Sequence, residues 1–578
     1  MKTIHPQQLR LAICQLSFIL MLALPLVTFP AGSVYGRYLP DLLALAGLGV
    51  WGLLTAFQPE TKFLRFEINS LGALTGFWAV LVAAQYALGW IPTSIEFTLF
   101  GIGYLLAALM VGVLVRTWVN AGFEHELLHA FLTAVLVVAL ANAIVLLIQT
   151  SPLITYFEPF IETGNPQRPG GFISQPNIMG TWCVCGLVAL VFLSKEPREK
   201  AAPLSLWRIF AMVLLLWAIN TTLSRIAVIE ILALSVLCGV FRKRCGISKA
   251  WVGLPLWQAC VHFAAVVFQG VKTNSEISIY NRFTESNQTR FDIYNGVAHI
   301  IQDNPVWGIG WRQLQWVQMS HPELDGALDH AHNLFLQIQL ELGLMGSIPL
   351  LVFFAYWLKQ KPLRSSSRPA VVAGLMVAVI FGLHSMTEYP LWYAPSLLAF
   401  SIAVAFMSNQ PVVTLKVKYK LVQFTWTAYL LLVAWVYVDH KRAYERVVQF
   451  MLNPYAVAAQ NTNTFWFRTY DDFIEMQNTD VNASNFTSHT NKIIQLTNFL
   501  TPAMPLHNLL KVYVYSQQEQ KAVGLARKIC NMNPQSWKNN VNWHLTQGPT
   551  PMKKWILSQD KDVLLCESPH SPSKGLFD

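Results

Sequence analysis

Charged residues are scarce in this chain of 578 residues: Asp, Glu, Lys and Arg make up 12% of it, whereas hydrophobic residues make up 54%. Soluble domains carry about 25% charged residues, so the composition excludes an ordinary soluble domain.

Cysteine is also sparse, with eight residues, and six of them lie in or beside apolar runs. The other two, Cys530 and Cys566, would be able to pair in an oxidising compartment. Gly308-x-Gly310 is too short for a dinucleotide-binding fingerprint.

Long apolar runs occupy most of the chain. A run of about 20 residues can cross a bilayer core of roughly 30 Å. Thirteen runs approach that length, at residues 11–30, 39–57, 68–88, 97–115, 127–149, 176–194, 208–222, 226–241, 251–269, 334–358, 370–387, 391–408 and 421–438. The first follows Lys2 and Arg10 as a signal peptide would, but no small-residue cleavage site is evident, so we expect it to remain as an anchor. The chain is predicted to be an all-α polytopic membrane protein with about 12–14 transmembrane helices.

Basic residues are distributed unevenly over the connecting loops. With a cytoplasmic N-terminus, the cytoplasmic segments are 1–10, 58–67, 116–126, 195–208, 242–250, 359–369 and 409–420, which together hold 20 Lys and Arg. The short outer loops hold only Arg37, Arg168 and Arg225. Cytoplasmic loops of membrane proteins carry such an excess. The net charge of +10 is therefore mainly a topology signal, and it does not indicate nucleic-acid binding.

The predicted organisation has four parts. Residues 1–269 form a membrane domain with nine helices, 270–333 a large outer loop, 334–438 four further membrane helices, and 439–578 a soluble helical domain on the outer side. The helical pattern at 521–534 ends at a proline, as helices often do. The last stretch, from about Ser568, is predicted to be disordered.

Three arginines lie near the outer side of the predicted topology. An arginine at the centre of a span is unfavourable by about 2.5–3.5 kcal/mol, so such residues usually have a partner or a task. Arg225 lies between two short apolar helices, where it either extends to the membrane surface or binds an anion. Arg168 precedes Gly170-Gly171 in a shaped turn whose backbone N–H groups are predicted to hold an anion, unless the segment is an ordinary re-entrant loop. Arg290 is predicted on the first turn of a helix, where it is either a solvated charge or a ligand.

Histidines and acidic residues crowd the end of the large loop, at His321, Glu323, Asp325, Asp329, His330 and His332. Their spacing fits no standard zinc motif, and a capping or buried histidine is a further interpretation of His332. Gly343 follows His332 by eleven residues, which is close to three helical turns. We therefore predict that His332, Gly343 and Gly346 lie near one face of a helix, where small residues let another helix approach.

These motifs resemble the O-antigen ligase / O-oligosaccharyltransferase superfamily. The matching features span residues 168–346 and are Arg168 before Gly170-Gly171 and Gln175-Pro176-Asn177, Arg225 in Leu-Ser-Arg, Arg290 ahead of Asn304-Pro305-x2-Gly308-x-Gly310, and His332-Asn333 before Gly343 and Gly346. The stretch TEYPLWY at 387–393 and the long outer tail resemble the PglL-like, pilin-type protein O-oligosaccharyltransferases of Gram-negative bacteria. The resemblance implies a GT-C-like fold in the inner membrane, with the active site and C-terminus in the periplasm.

The resemblance also implies a reaction. A glycan would move from undecaprenyl pyrophosphate to a Ser or Thr hydroxyl of a periplasmic acceptor such as a type IV pilin. Arg225 and Arg290 would bind the pyrophosphate, because a guanidinium group binds phosphate through paired hydrogen bonds and stays charged. Arg168 would support them. No metal or other cofactor is implied, because the lipid pyrophosphate already activates the sugar.

The remaining site residues follow from the same resemblance. His332 would remove the proton of the acceptor hydroxyl or only position that hydroxyl. Asn333 would orient substrate or cap the following helix. The predicted substrate neighbours are Gln175, Asn177, Tyr294 and Glu388, and Glu388 alternatively holds an arginine.

Other functions remain open from the sequence. Within the superfamily, the chain would also suit an O-antigen ligase with a lipid A–core acceptor or a glycan polymerase, although the tail favours a protein acceptor. A secondary transporter also has many spans, but transporters often show repeated halves, and we find no such symmetry. A purely structural assembly factor would tolerate replacement of Arg225, Arg290 and His332 without loss of glycan transfer.

Overall fold

The computed structural model describes residues 6–27, 38–56, 63–90, 95–157, 160–162, 165, 168–193, 205–268, 279–318, 321, 324, 328–359, 368–408, 410–452, 464–477, 481–482, 484–499, 503–532 and 534–559. Nearly all regular structure in these ranges is helical, so the predicted all-α polytopic class is confirmed. Among the described residues, six helices are long and apolar enough to cross a membrane, and five shorter helices are also apolar. The segment after Ser568, predicted to be disordered, lies outside the described residues.

The chain folds into two compact units. Unit 1 comprises Met1–Ala79, Ile102–Ser286 and Ile348–Val438, and unit 2 comprises Val80–Gly101, Asn287–Ser347 and Asp439–Asp578. The helices up to the end of the last apolar run are α1 (Pro6–Val27), α2 (Tyr38–Ala56), α3 (Ser70–Ala87), α4 (Ile95–Asn120), α5 (Glu124–Gln149), α6 (Ile154–Phe157), α7 (Pro176–Phe192), α8 (Leu206–Thr222), α9 (Arg225–Cys245), α10 (Lys249–Val252), α11 (Leu254–Phe268), α12 (Ile279–Asp303), α13 (Leu314–Val317), α14 (Leu334–Lys359), α15 (Pro369–His384), α16 (Ala394–Met407) and α17 (Tyr419–Leu452). Each predicted apolar run coincides with a helix, although the ninth is divided between α10 and α11 and the tenth, α14, is interrupted at Gly343.

Helix α7 lies at the centre of unit 1. Every residue from Ile178 to Phe192 is buried, as expected for a helix that is apolar on all sides. Glycines allow its neighbours to approach closely: a Cβ atom added at Gly186 would lie 2.5 Å from the Cβ of Ala139 on α5, and one at Gly180 would lie 2.9 Å from the Cβ of Ala227 on α9. Such close packing, rather than exclusion of water, holds helices together in a bilayer.

A short antiparallel ribbon, which we did not predict, joins two loops of unit 1. Strand β1 (Phe63–Ile68) pairs with β2 (Val413–Lys418), with Phe63 opposite Lys418. The period-two alternation of VTLKVK at 413–418 is typical of a strand, but we assigned both segments to loops. Because the two segments pair, they lie on the same side of unit 1, in agreement with their assignment to a common side of the membrane.

Unit 2 joins the large loop to the tail. The tail helices are α18 (Arg468–Gln477), α19 (Phe486–Phe499), α20 (Ala503–Tyr515), α21 (Glu519–Met532), α22 (Pro534–Thr546) and α23 (Thr550–Leu557). Trp316 of α13 packs against the apolar core of these helices. The buried Lys528 on α21 donates hydrogen bonds to the carbonyl oxygens of Gln318 and His321. Loop and tail therefore share one packed body.

Two further predictions concern this unit. Arg290 was predicted on the first turn of a helix, but α12 begins at Ile279 and places Arg290 in its interior; the preceding stretch is polar, so apolar periodicity gave no signal for it. Cys530 is buried and takes part in a disulfide. Its predicted partner Cys566 lies outside the described residues, so that pairing stays a prediction.

Candidate active site

The turn that follows Arg168 has the shape that its glycines predict. Gly171 has φ of 64°, a conformation that only glycine adopts without strain. A Cβ atom at Gly170 would lie 2.4 Å from the carbonyl carbon of Ser174, and one at Gly171 would lie 2.7 Å from Oδ1 of Asn142. Neither glycine position has room for a side chain without a local shift.

The backbone N–H groups of this turn are used inside unit 1. The N–H of Gly171 donates to Oε1 of Gln149 at 3.0 Å, and that of Phe172 donates to Oδ1 of Asn142 at 2.9 Å. The prediction that these exposed N–H groups hold an anion is therefore wrong, because side chains of α5 already accept from them. Anion binding by the Arg168 side chain stays a prediction.

Arg168 and Arg225 both lie at the junction between α8 and α9. The Nε atom of Arg168 donates to the carbonyl oxygen of Thr222, the last residue of α8, at 3.1 Å. Leu223 then adopts a left-handed conformation with φ of 50° and ends that helix. Ser224 caps α9 by accepting from the N–H of Ala227, and Arg225 is the first residue of α9. The two arginines are thus placed beside the same tight connection.

Helix dipoles contribute to the electrostatics of this junction. A helix carries partial negative charge at its carboxyl end and partial positive charge at its amino end. Arg168 lies at the carboxyl end of α8, where a cation is stabilised. Arg225 lies at the amino end of α9, where the helix dipole opposes a cation, and no acidic residue occupies the first turn of α9. The guanidinium of Arg168 and the amino end of α9 therefore both contribute positive potential at this junction.

Asn177 connects Arg168 to Glu388. Its Oδ1 atom accepts from Nη2 of Arg168 at 2.6 Å, and its Nδ2 atom donates to Oε1 of Glu388 at 3.4 Å. Glu388 thus reaches this arginine through the amide. Gln175 has a structural task, because its side chain caps α7 by accepting from the N–H of Ile178 at 2.7 Å. A direct contact of any of these side chains with substrate stays a prediction.

A buried polar cluster that sequence reasoning missed lies below Asn177. The hydroxyl of Thr181 lies 3.2 Å from the carbonyl oxygen of Asn177, 2.8 Å from Oε1 of Glu230 and 2.6 Å from Nδ1 of His384. All three side chains of the cluster are fully buried. They link α7, α9 and α15. Ionisable residues within apolar runs usually have a function, and this was the signal that the sequence contained.

His332 occupies a constrained position in unit 2. Its φ is 51°, which is uncommon for a residue with a side chain and often marks a functional position. The N–H of Ala331 donates to Oε1 of Gln337 at 2.6 Å. Asn333 caps α14, because its Oδ1 accepts from the N–H groups of Phe335 and Leu336 at 3.0 and 3.2 Å. The backbone is therefore held on both sides of His332, and the predicted capping role of Asn333 is confirmed.

Side chains of the same segment form a chain of hydrogen bonds. Nδ1 of His330 is in close contact with Oδ1 of Asp329, and Nε2 of His330 lies 3.1 Å from Nδ1 of His332. Tyr294 of α12 donates from its hydroxyl to the carbonyl oxygen of His332 at 3.4 Å. Arg290 lies one helical turn before Tyr294 on α12. Glu323 and Asp325 of the predicted cluster lie outside the described residues.

The motif at 304–310 packs against a break in α14. Gly343 has φ of 61° and ψ of −158°, which is not helical. The N–H of Ile309 donates to the carbonyl oxygen of Leu340 at 2.8 Å, and the N–H of Leu344 donates to that of Pro305 at 2.9 Å. The prediction that His332, Gly343 and Gly346 share one helix face is wrong, because His332 precedes α14 and Gly343 interrupts it. Gly343 instead admits the backbone of the 304–310 loop.

Comparison with known proteins places these features in a family. Residues 210–351 match the family model described as O-antigen ligase, and residues 372–547 match the model described as virulence factor membrane-bound polymerase, C-terminal. A general O-oligosaccharyltransferase from Acinetobacter baylyi is 22% identical over 433 residues, which cover 71% of this chain and 69% of that protein. The chain belongs to the O-antigen ligase / O-oligosaccharyltransferase superfamily. It is accordingly a multi-pass membrane enzyme of the glycosyl-transfer kind.

The O-antigen ligase match contains both halves of the Gly343 packing. A Cβ atom at Gly343 would lie 2.3 Å from the carbonyl oxygen of Val306. We therefore expect Gly343→Ala to destabilise the enzyme by about 1–3 kcal/mol from backbone strain alone, with lower Tm in detergent. Gly103→Ala on α4 is the control, since a Cβ atom there meets nothing within 4 Å. Equal Tm values for the two variants would show that the break in α14 is not needed.

Proposed function

We propose that this superfamily member is a PglL-like protein O-oligosaccharyltransferase. It moves a glycan from undecaprenyl pyrophosphate to a Ser or Thr of a periplasmic acceptor such as a type IV pilin. Superfamily membership supports the reaction class, and the name of the Acinetobacter baylyi relative supports transfer of an oligosaccharide to an oxygen atom. The enzyme acts in the inner membrane, with its active site and C-terminus in the periplasm, as the distribution of basic loop residues suggests.

The junction of α8 and α9 carries the proposal. Transfer of the glycan breaks the bond between its anomeric carbon and a phosphate oxygen, and the negative charge on the leaving pyrophosphate increases as that bond breaks. Groups that are already oriented toward such charge usually make the largest catalytic contribution. Arg225 and Arg168, at the amino end of α9, provide positive charge that needs no rearrangement. Arg290 on α12 is the third proposed ligand of the pyrophosphate.

Arg168 has a distinct place in this arrangement. Its Nε atom is engaged by the carbonyl oxygen of Thr222 and one Nη atom by Asn177. These two contacts occupy some of the guanidinium N–H groups and fix the direction of the others. We therefore propose that Arg168 supports and guides the pyrophosphate group. Arg225 is the first residue of α9, so it lies at the positive end of that helix. We assign the main contribution to Arg225.

The acceptor hydroxyl must lose its proton as its oxygen attacks the anomeric carbon. His332 is the proposed base, because histidine is the side chain most often used for proton transfer. Its constrained backbone limits the directions that the imidazole can take. Asn333, which caps α14, helps to keep that backbone in place. The lipid pyrophosphate activates the sugar, so the proposed reaction requires neither a nucleotide sugar nor a metal ion.

The tail is the proposed site of acceptor selection. It forms one body with the large loop through Trp316 and Lys528. A folded acceptor protein needs a larger surface than the mouth of a catalytic cavity, and interfaces of stable complexes typically bury about 800 Å² per partner. The tail helices α18 to α23 are the described part of the chain that offers such a surface outside the apolar helices.

An acceptor competition tests the proposed function. A bacterial host that makes a lipid-linked oligosaccharide would receive the enzyme together with a pilin and lipid A–core. We expect the mass of the pilin to increase by the mass of the glycan. Glycan on lipid A–core alone would identify the enzyme as an O-antigen ligase. Longer lipid-linked glycan with neither acceptor modified would identify a polymerase, which the family description of residues 372–547 favours as the second candidate.

A further inference from the structure

We propose that His330, held by Asp329, positions His332 for proton transfer and stabilises the positive charge that His332 acquires. The inference rests on the proposed function, in which His332 accepts the proton of the acceptor hydroxyl. It assigns a positioning role to two residues that do not themselves contact the reacting atoms.

The hydrogen bonds set the tautomers of both rings. An ionised carboxylate only accepts hydrogen bonds, so the contact between Asp329 and His330 places the His330 proton on Nδ1. Nε2 of His330 is then an acceptor, and it lies 3.1 Å from Nδ1 of His332. His332 consequently carries its proton on Nδ1. The basic lone pair of His332 is left on Nε2, the nitrogen on the opposite side of the ring.

Burial makes this orientation specific. The side chain of His330 is only 6% exposed, and the two imidazole rings are 4.0 Å apart between centroids, with their planes at 50°. His330 therefore has little freedom to rotate away. The constrained backbone of His332 limits where its side chain can point. The contact with His330 limits the rotation of the imidazole ring.

Charged groups around the pair favour an ionised Asp329. Burial raises the pKa of Asp329, but the hydrogen bond from His330 and the positive charge of Arg312 lower it by more, so the pKa lies below its ordinary value. Glu341 also lies near His330 and Arg312. Because the pKa of Asp329 is depressed, its carboxylate is present throughout the neutral range, and its stabilising contact is lost only as the pH falls through that low value.

The proposed step conserves atoms and charge. The O–H bond of the acceptor Ser or Thr breaks, and its proton binds Nε2 of His332. The acceptor oxygen forms a bond to the anomeric carbon, while the bond from that carbon to the phosphate breaks and its electron pair leaves on the pyrophosphate. His332 becomes an imidazolium whose Nδ1–H donates to His330, and the carboxylate of Asp329 compensates the charge through that ring. The product release step returns the proton to solvent.

The test uses the full-length enzyme in detergent with undecaprenyl-pyrophosphate-linked oligosaccharide and the acceptor selected in the competition experiment. We expect His330→Ala to lower kcat by about 100-fold, at the lower end of general base contributions, with little change in KM for the lipid donor. His330→Gln should recover part of the rate, because an amide oxygen can accept from Nδ1 of His332. His299→Asn, on the exposed side of α12, should retain wild-type kcat.

A double variant separates positioning from a general structural effect. If His330 acts only through His332, then His330→Ala combined with His332→Ala is no slower than His332→Ala alone, since groups that act as a unit are non-additive.

The acid limb of the plot of kcat against pH should also move to lower pH in His330→Ala, because the imidazolium of His332 loses its acceptor. Equal Tm values for the variants would confirm that they fold.

Other results would overturn the proposal in distinguishable ways. A fully active His330→Ala beside an inactive His332→Ala would remove His330 and leave the proposed base in place. Additive losses in the double variant would assign His330 a separate structural role. Loss of wild-type transfer on chelation, with recovery on addition of Zn²⁺, would make the two histidines metal ligands instead. An active His332→Ala would remove His332 from its proposed role as base, and His330 with it, while leaving the proposed transfer reaction in place.

Discussion

Replacement of His332 with alanine is expected to reduce glycan transfer by about 10²- to 10⁴-fold, the usual contribution of a general base. Alanine removes the nitrogen that would accept the hydroxyl proton and leaves in place the arginines that are proposed to bind the pyrophosphate. Donor binding should therefore persist while kcat falls. Quantified glycan on the acceptor, by intact mass spectrometry over a time course, measures this loss.

Two comparisons make the His332 result interpretable. His299→Asn changes another histidine of unit 2, one that is exposed on α12, and should leave transfer unchanged. His332→Gln keeps a polar side chain that can position a hydroxyl but is not basic. A rate close to wild type for His332→Gln would limit His332 to positioning, whereas a rate as low as that of His332→Ala would support proton removal.

Replacement of Arg225 with alanine is expected to slow transfer by about 10²- to 10³-fold, as loss of one stabilising donor often does. Arg225→Lys should recover only part of this rate, because an ammonium group cannot form the paired hydrogen bonds that guanidinium forms with phosphate. Single-turnover rates at saturating lipid donor give the effect on the chemical step, and donor titration gives the effect on binding.

The same helix offers a matched control for Arg225. Lys243 is an exposed basic residue in the last turn of α9, so Lys243→Ala removes one positive charge from that helix but at its other end. It should leave the rate of transfer unchanged. Equal losses in the two variants would show that net charge or membrane insertion, rather than phosphate binding, explains the effect. Wild-type transfer by Arg225→Ala would exclude Arg225 from the site.

The apolar pattern of the sequence was sufficient to predict where the membrane helices lie, but it did not predict where a helix is interrupted. Each of the thirteen predicted runs became a helix because a bilayer-length apolar segment can satisfy its backbone only internally. The amino-terminal part of α12 was missed because it is polar. Gly343 was read as a small residue within a helix, since a sequence cannot show whether a glycine supplies space or a non-helical φ. In the structure, Gly343 has a non-helical backbone and the carbonyl group of Val306 packs against it.

The candidate site also has features that the sequence predicted and features that it did not. The resemblance of the ordered motifs to the superfamily was enough to select Arg168, Arg225, Arg290 and His332, whose side chains suit phosphate binding and proton transfer. Their partners could not be predicted. Asn177 links Arg168 to Glu388 across 211 positions of sequence, and Thr181 meets His384 across 203. Such contacts depend on how α7, α9 and α15 pack.

The sequence by itself determined the membrane class, the positions of the apolar helices and the chemical types of the candidate catalytic residues, because composition, run length and residue chemistry are local properties. Only the tertiary structure decided that N–H groups of the Arg168 turn donate to side chains of α5, that Arg168 contacts the end of α8 next to Arg225, and that His330 lies between Asp329 and His332. Each of these depends on distances between side chains, which packing sets and which the order of residues does not contain.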